Sequence, residues 1–192
     1  MATAPTTLNE FRSKFSDKGF ARPNFFELRI DIPDATMHET GDLQEWVTYA
    51  AKATNLPGVT MTTMEYYYAG RAMKVPGERA FEPWTCSFYV DKEFSTKMAL
   101  YDWINYNLPA ETGYHGDNST GDQVYKNRPI KIKVLDRNQQ GNKSVHEITL
   151  FHCYPTTIQG QELDMAANDQ IMEISVQWDY TYFEVTKRSN PS

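Results

Sequence analysis

Cysteine is nearly absent. Cys86 and Cys153 are the only two in 192 residues, too few for a disulfide framework. Each sits in an apolar, strand-like run (84–90 and 148–154), so both are expected to be buried small hydrophobes. Long hydrophobic runs are missing as well. No stretch approaches the ~18 residues that a membrane span requires, so no membrane contact is expected for the free chain. The opening MATAPTTLNEFRSKF has no apolar core of a signal peptide, and the chain is expected to fold in the cytoplasm of the cell that makes it. Positive charge is in deficit: 19 Lys and Arg stand against 25 Asp and Glu, for a net charge of −6. That argues against a surface built to grip nucleic acid through its phosphates. A protein that sits close to DNA without holding it remains compatible.

Catalytic and ligand-binding constellations are also lacking. Gly116-Asp117-Asn118-Ser119-Thr120-Gly121 has the glycine spacing of a phosphate loop. Asp122 and Gln123 then stand where Lys and Ser or Thr should meet phosphate and magnesium. Asp117 and Asp122 lack the spacing and terminal glutamate of a calcium loop. His38, His115, His146 and His152 have no zinc-site partners, and His152 and Cys153 point to opposite faces of a strand. Asn118-Ser119-Thr120 and Asn142-Lys143-Ser144 match a glycosylation sequon without a secretory context. No carboxylate pair has a general acid–base arrangement. No enzyme activity, cofactor or metal is expected.

What the chain has is aromatic bulk and strand periodicity. Residues 1–18 are polar, with Leu8, Phe11 and Phe15 at i, i+3 and i+7, and read as a flexible N-terminal arm that orders on a partner, or as a short amphipathic helix. Residues 24–32 alternate as a strand, with Phe26, Leu28, Ile30 and Ile32 on one face and Glu27, Arg29 and Asp31 on the other. Residues 34–42 read as a polar loop and 45–52 as a second strand. Residues 59–68 and 71–75 form a hairpin around Ala69-Gly70. Its ten-residue first strand extends ~33 Å at ~3.3 Å per residue, longer than the ~5–6 residues that are usual.

Tyr66, Tyr67 and Tyr68 stand in a row on that hairpin. Successive strand residues point to opposite faces, so the row puts bulk on both. Beyond it, 84–90 is a strand, and 91–108 takes a helical period with Phe94, Met98, Tyr101 and Ile104 as its stripe, Asp91 as N-cap and Pro109 as stop. After a polar loop (110–127) come a strand at 130–135, a turn at 137–143 and a partner strand at 145–151. Tyr154-Pro155-Thr156 breaks the run. Residues 170–183 read as one long final strand, with Met172, Ile174, Val176, Trp178, Tyr180 and Tyr182 on one face. The sum is a mainly β chain with one helix, an antiparallel sandwich or partly open barrel.

Several segments, in order, resemble the tail tube proteins of contractile-tailed bacteriophages. Gly19-Phe20-Ala21-Arg22-Pro23-Asn24-Phe25-Phe26-Glu27-Leu28 looks like their first strand. Residues 51–57 (AKATNLP) resemble the entry to their long hairpin, and 74–84 (KVPGERAFEPW) its exit. Phe94 through Trp103 resembles their single helix, and Tyr154-Pro155-Thr156 with 173–182 their C-terminal end. The resemblance spans about 19–182. Residues 1–18, 34–42, 110–127 and the tail depart from it.

The resemblance implies two packed antiparallel sheets, one flanking helix and a long protruding hairpin. On this reading 19–186 is a single tail-tube domain, with the hairpin arm at 58–76 and the helix at 92–107, and 187–192 is a polar tail. It implies hexameric rings stacked into a tube within a contractile sheath, as in a virion. The partners implied are other copies of the chain, the sheath protein, baseplate and tube terminator proteins, and, in the lumen without tight binding, the tape-measure protein and DNA. Tyr66, Tyr67, Tyr68, Arg71 and Met73 are the expected inter-subunit residues of the arm. Glu27, Asp31, Glu173 and Asp179 are candidates to line the lumen. Alternatives are a baseplate-proximal tube initiator, a secretion-system or bacteriocin tube subunit, and a monomeric β-sandwich ligand-binding module.

Overall fold

The computed structural model describes residues 7–9, 12–13, 23–32, 40–111, 128–135, 144–164 and 170–186. Most of the expected N-terminal arm lies outside these residues. So do His38, His115, Asp117, Asp122, the first sequon, the 137–143 turn and the 187–192 tail.

The elements run β1 (Phe26–Ile30), α1 (Thr40–Ala50), β2 (Ala51–Thr54), β3 (Val59–Tyr68), β4 (Arg71–Phe81), β5 (Trp84–Tyr89), α2 (Ser95–Asn107), β6 (Ile130–Leu135), β7 (Ser144–Phe151), β8 (Tyr154–Ile158), β9 (Glu173–Asp179) and β10 (Tyr182–Thr186). They form a four-stranded sheet in the order β1-β6-β7-β10, a second in the order β2-β5-β9-β8, and a separate two-stranded ribbon of β3 and β4. All pairings are antiparallel. Strict alternation on the four-stranded sheets sends one face of each inward. Leu28, Ile30, Ile130, Ile132, Ile148 and Leu150 of the first sheet share a single core with Trp84, Cys86, Phe88, Ile174, Val176 and Trp178 of the second. Trp178 is the centre of that core. Its ring lies 6.1 Å from Trp84 and 5.4 Å, edge-on, from Trp103 of α2, and its indole N–H donates to Cys86 Sγ at 3.1 Å.

Several expectations are corrected. Residues 45–52 are not a strand. α1 occupies most of them, and Leu43, Val47 and Ala50 at i, i+4 and i+7 are its buried stripe. Between residues 23 and 186 the described residues therefore hold two helices, not one, and the described residues 8–9 and 12–13 of the N-terminal segment are helical as well. In α2 the buried face is Thr96, Ala99, Leu100 and Trp103, whereas Phe94, Met98 and Tyr101 are exposed. Small residues let the helix approach the core, while the bulkier stripe faces outward under Lys97, whose ammonium lies over the Phe94 and Tyr101 rings.

Asp91 assists the start of α2 by accepting the Ser95 N–H at 3.2 Å, but the cap position itself belongs to Phe94, with φ 56°. Tyr154-Pro155-Thr156 opens β8 rather than breaking the sheet. The long final strand is two strands. β9 ends at Asp179, and the chain crosses through Tyr180 and Thr181 to pair β10 with β7 in the other sheet.

Candidate assembly site

Among the described residues, β3 and β4 pair as strands only with each other. All ten residues of β3 are exposed, and the half-buried exceptions in β4 are Gly77 and Phe81. Tyr66, Tyr67, Tyr68 and Met73 are 58%, 76%, 78% and 58% exposed. An isolated two-stranded ribbon is marginal in water, so its large side chains invite a partner.

The register sorts the two faces. Tyr66 pairs with Met73, Met64 with Val75 and Tyr68 with Arg71, so these six share one face. Glu65 pairs with Lys74 and Tyr67 with Ala72 on the other. There Glu65 and Lys74 form an ion pair at 3.6 Å, and the Tyr67 hydroxyl donates to Glu65 at 3.3 Å. One face is therefore an apolar stripe rimmed by Arg71, and the other is polar. Tyr67 belongs to the polar face. Met64 and Val75 were not among the sequence-predicted residues, yet they complete the apolar stripe. Their signal was simple alternation with Tyr66 and Met73.

Local chemistry shapes the arm. The tip residues Ala69 and Gly70 have φ of 48° and 77°. Positive φ at both central residues is what a tight hairpin of the type I′ class requires, and glycine adopts it without strain. Midway, the register shifts between Met61 and Thr63. Pro76 donates no hydrogen bond, and the bulge at Gly77 and Glu78 absorbs the mismatch. Thr62 Oγ1 accepts the Glu78 N–H at 2.9 Å and donates to the Glu78 carbonyl at 3.2 Å. A Cβ on Gly77 would stand 2.6 Å from Thr62 Oγ1. The root is clamped on both sides. Asn55 accepts the Trp84 indole N–H at 2.7 Å and the Thr85 N–H at 3.1 Å. Phe81 packs against Tyr180 and Phe183 at 5.9 and 5.6 Å.

The four acidic candidates do not come together. Glu27 and Asp31 lie on the outward side of the β1 sheet, among Arg29, Lys131 and Lys133. Glu27 faces Lys133 at 3.4 Å, and Asp31 faces Arg29 at 3.6 Å and accepts from Gln44 of α1. Glu173 and Asp179 lie on the outward side of the other sheet, separated by Ser175 and Gln177 and flanked by Thr85 and Ser87. Glu173 pairs with Lys52, and that contact raises the Lys52 ammonium above its ordinary range.

Neither thiol is placed for chemistry. Both cysteines are free and buried. Burial pushes the Cys153 thiol up to about 12 and pushes Cys86 up further, against a smaller opposing effect from the Trp178 N–H. Among the described residues, no three His, Cys, Asp or Glu side chains gather as a metal site.

The sequence profile of the phage tail tube protein family matches residues 21–186. The tail tube protein gp19 of Enterobacteria phage T4 is 25% identical over 174 residues, covering 88% of this chain and 94% of that protein. Two solved structures of an extracellular contractile injection system share the fold. One, of the PVC sheath/tube terminator in its extended state, is 15% identical, with a TM-score of 0.58 over 86% of this chain and 95% of that one. The other, of the PVC sheath-tube complex in its extended state, has a TM-score of 0.54 at 17% identity over 95% and 100%. With a projecting β-arm, a two-sheet core and a profile match across most of its length, the chain belongs to the phage tail tube protein family.

Proposed function

We propose that the chain is the repeating subunit of the inner tube of a contractile phage tail, polymerising as stacked hexameric rings whose bore conducts DNA. The role is structural, and the assembled product is a component of the virion. Residues 19–186 act as one domain, with 58–76 as its assembly arm and Tyr66, Tyr68, Arg71 and Met73 as its main contacts. The observation that carries the reading is the arm itself. It projects an apolar stripe that its own chain leaves in water, and burying such side chains is worth about 1.5–3 kcal/mol each. Sheath, tube terminator and baseplate proteins are the external partners of such a tube, and the tape-measure protein and DNA are its contents.

The two sheets pack back to back, so their outward faces point in opposite directions and one bore takes only one of them. The β2-β5-β9-β8 face suits it. It presents Thr85, Ser87, Ser175 and Gln177 between Glu173 and Asp179, and such a surface offers phosphates little to bind. The β1-β6-β7-β10 face is more densely charged, with Arg29, Lys131 and Lys133 set against Glu27, Asp31, Glu147 and Glu184, and each of its cations is a point where a phosphate can bind, whereas Lys52 beside Glu173 is the cation of the other face. Glu173 and Asp179 therefore remain lumen candidates, while Glu27 and Asp31 serve the opposite face.

Electron microscopy of the purified chain tests the function. Hollow filaments or stacked rings are expected. A monodisperse monomer at high concentration would instead favour a ligand-binding module.

A further inference from the structure

Pro57 and Pro83 face each other across one ribbon. β2 and β5 pair with Thr54 opposite Cys86, and β3 and β4 pair with Val59 opposite Phe81. The segments between, 55–58 on one strand and 82–85 on the other, are equal in length. The register therefore carries from body to arm without a slip and sets Pro57 opposite Pro83. Two contacts bracket that level. On the body side the Asn55 N–H donates to the Thr85 carbonyl at 3.5 Å. On the arm side a Cβ on Gly58 would stand 3.7 Å from Glu82 Oε2.

Antiparallel rungs fall on every second pair. With Asn55 and Thr85 as one rung, the next toward the arm falls on Pro57 and Pro83. Neither has an N–H to donate, so both bonds of that rung are deleted at once. The body is closed off below the gap. Asn55 Oδ1 accepts the Thr85 N–H at 3.1 Å, and the Asn55 carbonyl accepts the buried Trp84 indole N–H at 2.7 Å. Both bonds join body residues, and neither reaches the arm. The arm is closed on itself as well, through its own ladder and the Thr62 bonds to Glu78. Among the described residues, the aromatic contact that crosses the gap is that of Phe81, half-buried against Tyr180 and Phe183.

We propose that the paired prolines are a pivot on which the arm swings as one unit, with Phe81 as the latch that holds it to the body. Leu56 and Glu82, each before a proline, are held extended, while Gly58 supplies backbone freedom. The two strands thus bend together and do not unravel. The arm reaches ~33 Å at ~3.3 Å per residue, so a small bend at its base is a large displacement of its tip. The copy that covers the apolar face of the arm, and not the arm's own body, then sets its final aim. That last step rests on the tube-subunit reading. The pivot itself is a property of a single copy.

The test is pulsed dipolar electron paramagnetic resonance on dilute, unassembled protein. Tyr67→Cys/Lys92→Cys places one spin label on the polar face of the arm and one on an exposed residue beyond β5. Cys86 and Cys153 are buried and stay unlabelled. A broad distribution of label distances is expected. Adding Pro57→Val/Pro83→Val returns both donors to the missing rung and is expected to narrow it sharply. A native distribution already as narrow as that of the valine variant overturns the pivot.

Phe81→Ala supplies a second measurement that decides alone if the valine variant fails to fold. Loss of the latch is expected to broaden the distribution further and shift its mean. A distribution unchanged by Phe81→Ala contradicts the latch and the pivot it restrains. Both experiments are read in single copies, so their failure leaves the tube-subunit reading standing, and failure of the unaltered chain to form tubes contradicts that reading instead.

Discussion

Tyr66 stands directly across the ribbon from Met73, and the two side chains share an apolar face that no other strand among the described residues covers. Tyr67, one residue along, points the other way and donates its hydroxyl to Glu65. The row of three tyrosines therefore puts two side chains on the apolar face and one on the arm's polar face.

That division predicts unequal effects. Tyr66→Ala and Met73→Ala each remove burial worth about 1.5–3 kcal/mol per contact, or roughly ten- to a hundredfold in association at ~1.4 kcal/mol per decade. Tyr67→Ala loses only an exposed hydrogen bond and is expected to change association less than tenfold. Sedimentation velocity over a concentration series measures the difference, and equal losses would refute the sorting of faces.

The arm's own shape depends on two small residues. In Gly77→Ala the new Cβ collides with Thr62, so the bulge should open and the arm should be cut faster by trypsin at Lys74 and Arg79. Ala69→Asn places a residue that tolerates positive φ at the tip and should slow cleavage. The melting temperature of the body is expected to stay within a degree or two in both, by the small effects typical of surface changes.

Trp178 should behave quite differently. It is fully buried between Trp84 and Trp103. Trp178→Ala is expected to destabilise the fold by about 3–5 kcal/mol, measured by urea unfolding in a Tyr66→Ala background where assembly does not mask the change.

The thiols give a pH prediction. A thiol whose folded-state pKa is raised stays protonated until the pH passes that raised value, and only the thiolate is reactive. With Cys153 at about 12 and Cys86 raised beyond it, neither should react with a thiol reagent between pH 7 and pH 9 in the folded protein, by the general behaviour of such buried groups. Both should react at once in denaturant. Rapid labelling of native protein would contradict the packed core around them.

Much of this was legible in the sequence because alternation is a strong signal when one face is buried. The hairpin showed its turn as Ala69-Gly70 flanked by β-formers, and β6 showed its limits through Ile130, Ile132 and Val134. Other parts were not legible, for physical reasons. In α1, Trp46, Thr48 and Ala50 also fit a period of two, and the helical stripe of Leu43, Val47 and Ala50 is only visible once the core is known. In α2, close packing favours Thr96 and Ala99 over larger residues, so size misled the choice of face. From Met172 to Tyr182 the sequence alternates without a break, but the inward side changes where the chain changes sheets: Tyr180 and then Phe183, paired with Leu150, pack on the core, while Tyr182 turns outward to stack on Phe151. The acidic candidates shared a pattern but not a sheet, since alternation says which residues share a strand face and nothing about which sheet holds the strand.

The central claim is that the apolar face of the arm is buried by polymerisation and not within a single copy. Hydrogen–deuterium exchange of peptides spanning Val59 to Val75, in dilute monomer and in assembled tubes, tests it most directly. Fast exchange in the monomer and strong protection in the tube is the predicted result. Protection already complete in the monomer, unchanged on assembly, would contradict it.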